Sequence, residues 1–433
     1  MRNALRGLTT RGRCFLAAAG AAALAALLLG EKDLLRVAVL LAALPLMAAW
    51  YVGRTRYRLA CVRSLEPRRV PVGVSARVVL RLTNLSWIPT GTMLLEDRLP
   101  YALGSKPRLV LERLEAQRSS SVGYTVLADL RGRYTAGPLV VRLTDPFGLC
   151  EMIRSFPSVD RLTVIPRVLA LPSIPLTGEY GGSGDSRSRA AAVHGEDDAA
   201  PREYREGDDL RRVHWRSTAR VGELMVRREE QPWEALATVA LDTRTLAHRG
   251  EGPASSFEWA VTAAASIAVH LRRDRYRLRL VTACGVDADA RPELGGEGLV
   301  LDHLAEVRLT RRATVTGLVD LTRKRSRAGL VVGVFGTLTP PEAAQLAALR
   351  SSGTTYIAFL LNTTSWLGLT GTERQEAEAA HAATALALVR GGWRVVPVSH
   401  GAKLPEVWPQ ATRGSQGFTW RAAMAETVAG VGR

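Results

Sequence analysis

The chain has 433 residues, too many for one ordinary core, so an anchor plus two further domains is expected. Its net charge of +17 comes almost entirely from arginine spread along the whole length, which suits an anionic membrane face. No basic helix with interleaved aromatics and no nucleic-acid module accompanies that charge, so nucleic acid is excluded as a partner.

The first element is apolar. Cys14 to Gly30 carries no charge, and a second run from Leu34 to Val52 is interrupted only by Arg36 and Pro45. Each run approaches the ~20 residues a helix needs to cross ~30 Å of hydrocarbon. Arg36 can snorkel, a mid-span proline is tolerated in lipid, and Trp50 with Tyr51 closes the second span as an interfacial belt. The reading is a membrane anchor over 1–56, with transmembrane helices at about 14–30 and 34–52 joined through Glu31, Lys32 and Asp33. Arginines at 2, 6, 11, 13, 54, 56 and 58 flank the pair, so the positive-inside bias puts both ends and the later domains in the cytoplasm. A cleaved signal peptide is the rival, and the second span argues against it.

From 57 to 171 the pattern changes to short alternating segments: 75–86, 120–130 and 137–145. Turn residues punctuate them at Pro71, Gly73, Asn84, Gly104, Gly132, Gly137 and Asp145-Pro146. Roughly seven short strands on this spacing predict an antiparallel β-sandwich of immunoglobulin-like type, with a supporting role. The four cysteines, at 14, 61, 150 and 284, form no CxxC and have no histidine at metal-ligand spacing. Buried, reduced thiols are expected.

Residues 172–200 are rich in Gly, Pro, Ser and charge and read as a linker or loop without a P-loop or a nucleophile elbow. Residues 201–433 are taken as a signature block followed by an α/β domain. The block, 201–230, mixes arginines and acids in near-equal number around Tyr204, His214 and Trp215. Such a mixture forms a docking surface or an internal clamp of Arg–carboxylate pairs, and the clamp is favoured. His214 beside Asp208 also admits a general base, although a lone histidine without an identified nucleophile is more often structural.

After the block, strands are predicted at 237–242, 276–282, 329–336, 355–361 and 393–399, with helices at 257–271, 340–350 and 372–390. The first helix places Phe257, Val261, Ala264, Ala268 and Leu271 on one face. Nearly continuous apolar strands alternating with helices predict a parallel, doubly wound sheet, whose ligands sit beyond the carboxyl strand ends. No dinucleotide fingerprint follows a strand, and Gly391-Gly392 reads as a helix stop. No cofactor is expected.

Arg202-Glu203-Tyr204, Gly207-Asp208-Asp209, Arg211, His214-Trp215, Ala219-Arg220 and Gly222-Glu223-Leu224 together resemble the signature of domain-of-unknown-function family fifty-eight. Asp145-Pro146-Phe147-Gly148-Leu149 and Val164-Ile165-Pro166-Arg167 resemble what precedes it in membrane-anchored members. The resemblance implies a von Willebrand factor A-like domain after the block. It also implies partnership with MoxR-type AAA+ ATPases and, often, with a transglutaminase-like membrane protein. It transfers no catalytic residues. In metal-binding domains of that type the first strand ends in Asp-x-Ser-x-Ser. Here Asp242 is followed by Arg244 and Leu246, so the metal site is degenerate, and Asp242 should pair with Arg244 or cap the loop. The expectation is a non-enzymatic, membrane-tethered adaptor or target of such an ATPase. The alternatives are a hydrolase or cell-envelope enzyme using His214, and an extracellular ligand-binding receptor.

Overall fold

The structure is a computed structural model. It describes residues 7–54, 58–144, 147–176, 202–204, 213, 215–226, 236–282, 287–289, 296–311, 315–325, 329–349 and 353–412. The chain divides into two compact units, Met1–Pro166 and Arg167–Arg433.

The first unit opens with helices α1 (Thr10–Leu29) and α2 (Lys32–Arg54), both long and apolar enough to cross a membrane by length and composition. Helix α1 begins at Thr10, ahead of the apolar run, because the Thr9 hydroxyl accepts from Gly12 N at 3.2 Å and caps the first turn. Gly30 closes the helix in the left-handed conformation at φ +71°, where glycine has no Cβ penalty. The base of the pair is docked. Thr9 N donates to Leu149 O at 3.0 Å, Thr9 Oγ1 donates to Gly148 O at 2.7 Å, and Glu151 N donates to Gly7 O at 2.7 Å. A Cβ on Gly12 would stand 2.3 Å from Leu149 O, so this contact requires glycine.

Ten strands follow among the described residues: β1 (Leu59–Glu66), β2 (Arg69–Pro71), β3 (Ala76–Asn84), β4 (Met93–Asp97), β5 (Arg108–Leu111), β6 (Ser119–Val126), β7 (Gly132–Ala136), β8 (Leu139–Thr144), β9 (Glu151–Phe156) and β10 (Asp160–Ile165). They form sheets β1-β3-β6, β2-β10-β7 and β5-β4-β8-β9, sandwich-like in that their inward residues share one core. Val78, Leu80 and Leu82 alternate inward on β3 and meet Met93 and Leu95 of β4 and Leu139, Val141 and Leu143 of β8. The pairing is antiparallel except between β2 and β10, which run parallel. The cysteines differ from the buried set expected. Cys150 is buried, Cys61 is half-buried, and Cys14 on α1 is exposed, while Cys284 lies outside the described residues.

In the second unit, β11 (Arg202–Glu203) and β12 (Met225–Val226) pair antiparallel around helix α3 (Trp215–Val221). A six-stranded sheet then carries β13 (Leu236–Leu241), β14 (Arg277–Thr282), β15 (Asp287–Asp289), β16 (Gly329–Phe335), β17 (Thr355–Leu361) and β18 (Arg394–Val398). Its order is β15-β14-β13-β16-β17-β18, parallel apart from the β15 edge. Helices α4 (Ser256–Arg273), α5 (Gly296–Glu306), α6 (Thr316–Arg325), α7 (Pro340–Ala347), α8 (Gly371–Arg390) and α9 (Leu404–Val407) complete the α/β domain. Ala240, Val331, Phe335, Ala358 and Leu360 face a core shared with α6, α7 and α8. Phe359, on the opposite strand parity, stacks on Trp408 with ring centroids 5.9 Å apart.

Helix α4 departs from the one-faced stripe expected of it. Ala260, Ala263, Ala265, Ile267 and Val269 are buried along with the predicted face, because α4 lies between the sheet and further cover. Part of that cover is the extended segment 167–176. Leu169 N donates to Ser266 Oγ at 3.0 Å, Trp408 Nε1 to Pro172 O at 3.0 Å and Arg394 Nη1 to Leu176 O at 3.3 Å. The expected border at 171–172 therefore falls inside a strap, and 167–171 belong with the α/β domain. The rest of the expected linker, 177–200, lies outside the described residues.

Candidate functional site

In a doubly wound sheet, ligands enter where the strand order reverses, at the carboxyl ends. Here that is the gap between β13 and β16, and a buried ionic lattice closes it. Asp242, directly after β13, is fully buried, and Arg244 is nearly so. Arg244 Nε donates to Asp242 Oδ1 at 3.0 Å and Nη2 to Oδ2 at 2.8 Å, a bidentate fork. The Arg244 N–H also donates to Asp242 Oδ1 at 3.1 Å, so Asp242 both pairs with Arg244 and caps the loop. From the other side, Arg244 Nη1 donates to Glu342 Oε1 and Nη2 to Thr337 O at 3.2 Å.

Local chemistry places Glu342. Pro340 and Pro341 open α7 after Thr339, and Glu342 Oε2 accepts from Thr339 N at 2.9 Å in a capping box. One carboxylate thus fixes a helix start and neutralises a guanidinium from the loop after β13. Burial alone would lower the Arg244 pKa, but the hydrogen bonds and charges of Asp242 and Glu342 outweigh it and raise it. The lattice holds a permanent cation between two carboxylates. A hard metal ion needs those carboxylate oxygens free, and both oxygens of Asp242 are taken. Leu246, at the other altered position, is exposed. The donor set fits a guanidinium and does not fit a divalent ion.

Polar groups knit the lattice to its surroundings. His248 is buried, with Nε2 2.9 Å from Asp242 O and Nδ1 3.2 Å from Ser256 Oγ. A carbonyl can only accept, so the proton is assigned to Nε2, and Nδ1 accepts from the serine. Burial lowers the His248 pKa, opposed by the Asp242 charge, and keeps the ring neutral. Thr245 N and Oγ1 both donate to Thr310 O, at 2.8 Å each, and the Thr337 and Thr363 hydroxyls share a hydrogen. Gly336 allows the close approach of β16 to this loop, since a Cβ there would lie 2.1 Å from Ala247 O.

Along α4 lies an open cavity of about 610 Å³. Trp259 and Trp366 line it together with Arg167, His400 and Lys403, and Glu258 is the acid in the wall. Both indoles are oriented by the backbone: Trp259 Nε1 donates to Ala402 O at 2.8 Å and Trp366 Nε1 to Ala254 O at 2.9 Å. Trp366 also meets His400 edge-to-face, centroids 5.2 Å apart.

Much of the signature block falls outside the described residues, including Gly207, Asp208, Asp209, Arg211 and His214. The choice between clamp and docking surface lies with them. Of the rest, Arg202 and Glu203 form β11, and Tyr204 N donates to Leu224 O at 2.8 Å. Trp215 begins α3 and is exposed, as are Arg220 and Glu223. Glu342, His248 and the two groove tryptophans were not singled out from sequence. The Thr339–Glu342 capping box was the one readable signal, and it marks a helix start rather than an ion pair.

Residues 200–363 match the family model described as "Protein of unknown function DUF58". The comparison with curated proteins gives no match. Among solved structures, the CARDB domain of the PF1109 protein from Pyrococcus furiosus, in complex with di-metal ions, is similar at 14% identity. That alignment covers 25% of this chain and 93% of that one, with a TM-score of 0.19. AT1g01470 from Arabidopsis thaliana is similar at 12% identity over 26% of this chain and 85% of that one, TM-score 0.20. The sporulation control protein Spo0M from Bacillus subtilis is similar at 13% identity over 24% and 49%, TM-score 0.16. Likeness at this level carries no argument.

Proposed function

We propose that this protein is a non-enzymatic, membrane-tethered interaction protein whose α/β domain receives a MoxR-type AAA+ ATPase. One observation carries the reading: the crevice where a doubly wound domain would work on a ligand is filled by the Asp242–Arg244–Glu342 lattice. A guanidinium saturated by two carboxylates has no capacity left for a substrate and instead stiffens the carboxyl edge. The strand order, with its antiparallel β15 edge, is compatible with the von Willebrand factor A-like domain that the signature implies. The arginines flanking α1 and α2 support a cytoplasmic placement of both units.

The groove along α4 is the docking point in this reading. Arg167 and Lys403 against Glu258 favour an acidic segment, and the tryptophans give it an apolar wall. A transglutaminase-like membrane protein would be the neighbour acted upon. The test uses the full chain in lipid nanodiscs and a purified MoxR-type ATPase, with binding measured in ATP and in ADP. Nucleotide-dependent association, weakened by Lys403→Glu, is expected. Absence of association in either nucleotide would overturn the adaptor reading.

A further inference from the structure

Four segments of the β-sandwich converge on one of its ends, and the strand register fixes which. Leu59 pairs with Asn84, Thr83 with Ser119, Met93 with both Leu111 and Leu143, and Thr144 with Glu151. The entry to β1, the β3–β4 connection, the β5–β6 connection and the turn at 147–150 therefore lie together. The connection after β4, which carries Tyr101, lies at the opposite end.

The helical pair meets the first of these ends. Four peptide steps, at most about 14 Å of chain, separate Arg54 at the close of α2 from Arg58. Arg58 is stitched to the β3–β4 connection: its N–H donates to Ser86 Oγ at 2.8 Å, and its carbonyl accepts from Leu85 N at 2.7 Å. Leu149 and Cys150 are buried against Ala48 and Ala49, with Phe15 and Leu44 packed on the same cluster. All four helix residues lie within the two apolar helices, so the 147–150 turn stands level with the turns that enter the bilayer.

Large apolar side chains point outward at this end. Trp87 is 86% exposed, Phe147 67%, and Leu85 and Ile88 about half exposed. The segments at this end and the foot of α1 also carry exposed arginines 11, 13, 58, 113 and 118, against the exposed acids Glu112 and Glu115, the latter paired with Arg113, so the charge here is net cationic. Clustered exposed apolar residues with a basic border mark an interaction site. Tryptophan and arginine are the side chains that settle at a headgroup layer, the indole at the interface and the guanidinium on phosphate.

We propose that this end of the sandwich is a lipid-binding rim: Leu85, Trp87, Ile88 and Phe147 enter the interfacial layer of the membrane crossed by α1 and α2, and the arginines hold anionic headgroups. The inference rests on the reading of the helical pair as membrane-spanning. Continuity with that pair selects lipid over a protein partner, because the rim begins within a few residues of where the chain leaves the bilayer.

The test places the photo-cross-linker p-benzoylphenylalanine in the full chain at position 87, 101 or 24, one at a time. The protein is reconstituted in phosphatidylcholine vesicles with and without phosphatidylglycerol. Trp87 and Tyr101 are both highly exposed, so neither replacement disturbs a core. Lipid adducts are expected at 87, with higher yield when phosphatidylglycerol is present, and none at 101. Position 24, exposed in the middle of α1, reports on the premise and should also give lipid adducts. Adducts at 24 but not at 87 would overturn the rim and leave the spanning pair intact. Cross-links from 87 to protein instead of lipid would also overturn it. Absence of adducts at 24 removes the spanning pair and the rim with it.

Discussion

Arg63 and Asp97 form a closed fork inside the β-sandwich, with Nε to Oδ2 at 3.2 Å and Nη2 to Oδ1 at 2.7 Å and 1% of either side chain exposed. Arg63 Nη1 donates to Ala136 O and Ser158 O, and the Tyr124 hydroxyl donates to Asp97 Oδ2 at 2.6 Å. Gly137 leaves room for this fork, because a Cβ there would stand 2.7 Å from Arg63 Nη1. Burial, followed by the hydrogen bond to Asp97, raises the Tyr124 pKa, so the phenol stays a donor.

Asp97→Ala removes the fork and leaves the buried guanidinium only the Asp160 carboxylate, 3.7 Å from Nη1, and should cost about 3–5 kcal/mol of stability. Tyr124→Phe removes one hydrogen bond to a charged acceptor and should cost about 1.5–3 kcal/mol. Denaturant unfolding of the full chain in detergent measures both. Two equal losses, or an Asp97→Ala loss below that of Tyr124→Phe, would contradict the fork as the sandwich's ionic centre.

The second lattice makes a different prediction. Arg244→Ser removes the cation between Asp242 and Glu342 and leaves two buried carboxylates facing each other. The variant should lose about 3–5 kcal/mol. Millimolar Mg²⁺ should then restore part of its Tm, since the freed oxygens suit a hard cation. The unsubstituted protein should show no Mg²⁺ dependence. Scanning calorimetry with and without Mg²⁺ decides, and a Mg²⁺-dependent Tm in the unsubstituted protein would count against a saturated lattice.

A third prediction concerns pH. Burial lowers the pKa of His248, His303 and His381, the last to about 4. Below the ordinary value of 6.5 the unfolded chain binds protons that these folded groups refuse, so unfolding takes up protons. Their contribution is therefore fully present above pH 6.5 and is lost as pH falls below it, for His381 down to about 4, at a rate up to about 1.4 kcal/mol per pH unit for each proton. His381→Leu should flatten the pH dependence of unfolding in this window relative to the parent. Parallel slopes for the two proteins would refute the assignment.

The regular elements were legible wherever burial follows a single period. The apolar runs at 237–242, 329–336 and 355–361 became β13, β16 and β17 within a residue or two, because central parallel strands are covered on both faces. Gly391 and Gly392 ended α8 as read, with Gly392 at φ +86°. Helix α4 misled, since periodicity can reveal the face that meets the sheet but not a second cover supplied by a distant strap.

The buried charges were the least legible part. Arg63 sits on a strand where arginine normally marks the wet face, and only the pairing of β1 with its neighbours turns it inward. Half of the Asp242 lattice was readable because Asp242 and Arg244 are two residues apart. Glu342 is 98 residues from Arg244, and only the fold brings them together. The tryptophans of the groove come from segments that share no local pattern, so nothing in the sequence joins them.

The docking of α1 has a mechanical consequence. Thr9 caps the helix and hands its own hydrogen to Gly148, and Gly12 lies against Leu149 with no side chain between. A flexible tether would absorb any displacement of the sandwich. A joint built from three backbone carbonyls and a missing Cβ passes it on, as torque at the foot of the helix. Any force that rocks the sandwich must tilt α1, so the first unit behaves as a lever with its short arm in the apolar helices.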